Sequence, residues 1–154
     1  MTFNTLRNQY IKLIKPLQID SFKKVINVSS PLRANFSAGW NDTPPYCNEV
    51  PGFTLNVPIS YKNTFPVNAK IEKIDFPKII LSDNYSEIEI TNMSDLLDCQ
   101  SPSIPFALHK SALIASGLIP FDINFNLQMF LNKNSGFKLS TNVVNIPIGS
   151  RTRN

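Results

Sequence analysis

Apolar and polar residues alternate along several stretches of the chain, and nowhere for longer than from Ile119 to Leu131, I-P-F-D-I-N-F-N-L-Q-M-F-L. Ile119, Phe121, Ile123, Phe125, Leu127, Met129 and Leu131 hold the odd positions, and apart from Phe130 the even ones are polar or proline. Successive side chains of a strand point to opposite faces, so the pattern predicts a long half-buried strand, the expected spine of the fold. Asn-Lys-Asn-Ser-Gly at 132–136 tolerates positive φ, and Phe137, Leu139, Thr141 and Val143 then alternate again. Together the two segments predict an antiparallel hairpin.

Other strands are expected from Lys23 to Ser29, Phe53 to Tyr61, Val67 to Phe76, Lys78 to Leu81 and Glu87 to Thr91. Pro58 lacks a ladder donor and assigns its strand to an edge or a bulge. Leu32 to Pro51, with Asn-Asp-Thr-Pro-Pro-Tyr at 41–46, reads as irregular loop, and Ser82-Asp83-Asn84 as a turn. Ser94 to Asp98 suggests one capped helical turn. Phe106 to Ser116 favours a helix stopped by Gly117, although Leu113 to Ile119 also suits a buried strand. Near the start, Leu6, Tyr10, Leu13 and Leu17 form one apolar stripe of an amphipathic helix, with Pro16 expected to end it or begin a turn. That stripe is a candidate assembly interface. The expected layout is a helical arm over 1–22, a β-sandwich over 23–148 and a flexible tail over 149–154.

Composition supports strands. Twelve prolines against five glycines, with 11 phenylalanines in 154 residues, suit strands joined by proline-bounded loops in one domain of ordinary size. Cys47 and Cys99 are too few for a disulfide scaffold and lack the spacing of a zinc or redox pair, which reads as two thiols in a reduced compartment. The net charge of +4 conceals a segregation, +5 over residues 1–40, −5 over 41–100 and +4 over 101–154. Such asymmetry steers partners or attracts an anionic polymer. The first residues lack the h-region of a signal peptide, and no apolar run approaches the roughly 20 residues a bilayer requires.

Candidate chemistry is sparse. His109 is the single histidine, which excludes multi-histidine metal sites and leaves one imidazole base, with Cys99 as a conceivable nucleophile beside it. Glu87 and Glu89 share a face at a spacing that glycosidases use, but two such acids more often form the wet side of an edge strand. Asn92, Asp95 and Asp98 lack the glycine and closing glutamate of a calcium loop. No Gly-rich nucleotide motif or nucleophile elbow occurs, and no metal or cofactor is expected. Trp40 and Tyr46 are candidates for a ligand-stacking platform.

These patterns point to a mainly β chain of about eight strands, a β-sandwich or jelly-roll-like domain with a short N-terminal amphipathic helix. The function they suggest is a non-enzymatic structural subunit of a virus or phage particle, placed in the virion and assembled in the host cytoplasm. Its expected partners are other copies of itself and other structural proteins, with weak nonspecific nucleic-acid contact through the basic termini and no membrane. The alternative is a carbohydrate-binding β-sandwich module using Trp40 and Tyr46.

Overall fold

A computed structural model describes residues 24–37, 43–101, 103–144 and 146. The expected helix carrying Leu6, Tyr10, Leu13 and Leu17 and the tail after 149 lie outside the described residues, as does Trp40. The described chain is β-rich, with seven strands in two sheets: β1 (Val25–Ser30), β2 (Leu32–Ser37), β3 (Leu55–Ile59), β4 (Val67–Ile74), β5 (Ile79–Ser82), β6 (Glu87–Ile90) and β7 (Gly136–Val143). Four short helices accompany them: α1 (Tyr46–Glu49), α2 (Met93–Leu97), α3 (Ala107–Ala115) and α4 (Leu127–Asn134). β2 and β3 form a two-stranded sheet, and the other five run in the order β1-β4-β7-β5-β6. The chain divides into two compact units, one holding residues 24–26 and 70–140, the other 27–69 and 141–146 as far as they are described.

The 70–140 unit is built on β5. Ile79 and Leu81 are fully buried, and Ile79 lies opposite Ile90 of β6 and Phe137 of β7, both also buried. The alternate positions face away from this core, where Lys138 pairs with Glu87 and Lys78 with Glu89. Glu87 and Glu89 thus form the charged side of an edge strand, a placement that discourages unwanted pairing. β5 and β6 make an antiparallel hairpin, turned by the Asp83 carboxylate, which accepts from the amides of Tyr85 and Ser86 at 2.8 and 2.9 Å.

β7 is parallel to β5. Parallel neighbours need a crossover connection, and α2, α3 and α4 supply it. Met93 and Leu96 of α2, Leu113 of α3, and Leu127 and Leu131 of α4 complete the core, each full burial of such a side chain contributing about 1.5–3 kcal/mol. The buried Lys110 donates from Nζ to the Asp98 carbonyl at 3.2 Å, which satisfies a carbonyl just past the end of α2. α3 settles the ambiguity at 106–116 as helix: Gly117 at φ 75° stops it, and its amide reaches the Ile114 carbonyl at 3.0 Å.

The largest correction is to the expected spine. Ile119 to Leu131 is not a strand, and β7 is not its hairpin partner; the segment makes a turn and then enters α4. Asp122 Oδ1 accepts from the Asn124 amide, and Asn126 Oδ1 accepts from the Met129 amide, each at 2.9 Å. The first bond closes a turn and the second caps a helix. Leu127 and Leu131, four apart, are buried, whereas Met129 is 68% exposed, which a common strand face would forbid. The loop expected over 32–51 is also corrected, since Leu32–Ser37 is a strand. The cap of α2 is Asn92 and not Ser94: its Oδ1 accepts from the Asp95 amide at 2.9 Å.

In the 27–69 unit β2 runs antiparallel to β3, with Ala34 opposite Val57 and a shift of register between Asn35 and Ser37. Among the described residues β3 pairs with β2 alone, an edge position that suits Pro58.

Candidate functional site

Two places in the 70–140 unit carry strained backbone beside polar side chains. The first is a small recess, open to solvent, lined by the apolar Leu118, Phe130 and Phe137 and the polar Lys73, Asn134 and Ser135. α4 ends here because Asn134 turns back on it, donating from Nδ2 to the Phe130 carbonyl at 2.9 Å and so satisfying one orphan acceptor of the last turn. The chain must then enter β7 close beside the 76–78 bend. A Cβ on Gly136 would lie 2.0 Å from the Phe76 carbonyl oxygen and 2.3 Å from that of Lys78, so only glycine fits. The Phe137 amide donates to the Lys78 carbonyl at 3.1 Å and holds that approach. Ser135 absorbs the change of direction at φ 71° and ψ 159°, a region nearly confined to glycine and worth about 1–3 kcal/mol of strain for other residues. Its amide and hydroxyl make no hydrogen bond with another described residue.

The second place is the start of α3. Phe106 occupies the N-cap in the left-handed region, φ 57° and ψ 23°, an unusual conformation for a bulky residue. One turn later His109 meets the Phe106 ring edge to face, with centroids 5.0 Å apart. Burial lowers the His109 pKa below its ordinary value, outweighing the Asp83 carboxylate and a hydrogen bond with the Ser82 backbone, both of which favour the charged ring. The imidazole therefore joins α3 to the end of β5, and its lowered pKa keeps the ring neutral at neutral pH.

The structure treats the remaining sequence candidates unevenly. Cys47 and Cys99 are free, partly exposed thiols. Tyr46 is 51% exposed on the single turn of α1, and its suggested companion Trp40 lies outside the described residues. Asn92 and Asp95 serve the cap of α2. Among the described residues no group of three or more His, Cys, Asp or Glu side chains is placed to hold a metal ion, and no helix is long and apolar enough to cross a membrane. Sequence reasoning missed the recess, although it marked 132–136 as tolerant of positive φ. The signal was Ser-Gly directly after a helical period, read there as a hairpin turn.

No family model matches the chain. Two curated enzymes do: over 93 residues it is 32% identical to the bifunctional fucokinase/GDP-fucose pyrophosphorylase of Arabidopsis thaliana, and over 93 residues 31% identical to the L-fucokinase/L-fucose-1-P guanylyltransferase of Bacteroides fragilis. These spans cover 60% and 59% of the chain but 9% and 10% of the two enzymes, so the chain matches only about a tenth of their length. A span of that size in a chain of 154 residues takes in 67–90 wherever it begins, and hence β4, β5 and β6.

These likenesses overturn the expected function. Enzymes of a plant and a bacterium are not virion components, so the non-enzymatic structural subunit and its virion location are withdrawn. The physical reason for the error is plain. Strand-rich composition without a recognisable catalytic motif does not by itself separate a structural subunit from part of an enzyme.

Proposed function

We propose that the chain is a segment of a fucose-activating enzyme, working in the phosphorylation of L-fucose or in the conversion of its 1-phosphate to GDP-fucose. The observation that carries this reading is the identity of about a third shared with two enzymes from distant organisms, whose names both join these activities. The matched span includes β4, and with it Lys73 beside the recess. An enzyme segment need not turn substrate over by itself, so binding is the fair test. Saturation-transfer NMR on the purified chain with L-fucose, L-fucose 1-phosphate, ATP and GTP should show transfer to at least one of the four. Transfer to none of them would defeat the reading.

A further inference from the structure

We draw no further inference here: the strongest candidate, the exposed apolar face that Leu55, Val57 and Ile59 give the β2–β3 hairpin, carries nothing because nothing in the structure shows what covers it.

Discussion

The two units of the chain solve the same problem differently. In the 70–140 unit helices pack on the sheet, and among the described residues every hydrophobic residue of the buried core, from Ile79 to Phe137, belongs to it. In the 27–69 unit the hairpin of β2 and β3 leaves Leu55, Val57 and Ile59 on one face, each at least 39% exposed, with Phe53 at 74% and Phe36 at 70% nearby in the chain. A two-stranded hairpin is at best marginally stable by itself. Alternation alone therefore specifies a strand in both units, whereas a closed core requires the crossover helices that only one of them has. The candidate site follows the core: the recess and the His109 corner both sit where helices meet β5 and β7, and where the chain is held tightly enough to sustain strain.

The sharpest way to break this comparison is to cut leucines of equal size. Leu131 is 0% exposed and Leu55 is 56% exposed. Leu131→Ala should destabilise the chain by about 2–5 kcal/mol, since it removes buried contacts and leaves a cavity. Leu55→Ala should cost about 0.5 kcal/mol or less, the usual range for a surface change. Chemical denaturation of both variants measures the difference. Equal losses would show that the hairpin face is covered in solution.

Gly136→Ala ranks next. Its new methyl group must displace the carbonyl oxygens of Phe76 and Lys78, which are backbone and not the free end of a flexible side chain. A loss of about 1–3 kcal/mol or more is expected, with strained insertion as the cause. Amide exchange should speed up first around 76–78 and 135–137 and leave β2 and β3 untouched. Uniform acceleration in both units would mean that they open together.

How far the sequence could be read follows from the same contrast. Strands with one wet face announced themselves: Pro58 on an edge, Glu87 and Glu89 outward beside Ile88 and Ile90, and β7 all appeared where their alternation put them. The failure at Ile119–Leu131 came from counting Asp122, Asn124 and Asn126 merely as polar. Asp and Asn also bond to nearby amides, and here they close a turn and cap a helix, which breaks the alternation from within. The partner of β7 was illegible for a different reason: β5 lies more than 50 residues earlier in the chain, and parallel pairing leaves no turn signal between the strands. Of the candidate sites, His109 was visible as the single imidazole. The recess was not, because it arises from the approach of Gly136 to a bend some 60 residues away.

A cap substitution tests this account of the misread segment. Asn126→Ala removes the acceptor for the Met129 amide and should cost about 1 kcal/mol, with loss of helical circular dichroism. Asn124→Ala removes no side-chain bond recorded for that turn and should cost less, since the Asn124 contribution is its backbone amide. Reversal of this order would return the segment to an alternating strand.

The smallest effect expected is a pH dependence confined to one unit. His109 is the only histidine in the chain, and its pKa in the folded protein lies below the ordinary value. The unfolded chain, with a histidine pKa near about 6.5, therefore binds the proton more readily. Stability owed to the neutral ring is complete above that value and is lost as pH falls from about 6.5 through the lower folded pKa, while most carboxylates titrate further down, near about 4. Between about pH 7.5 and 5.5 the melting temperature should fall, and His109→Gln should flatten the slope whatever its own stability at the upper end. Amide exchange at the lower pH should quicken in β5 and α3, which His109 joins, before it does in β2 and β3. Equal slopes for the two proteins would show that the ring gives up its proton as readily in the folded chain as in the unfolded one, and that the His109 corner is no more than packing.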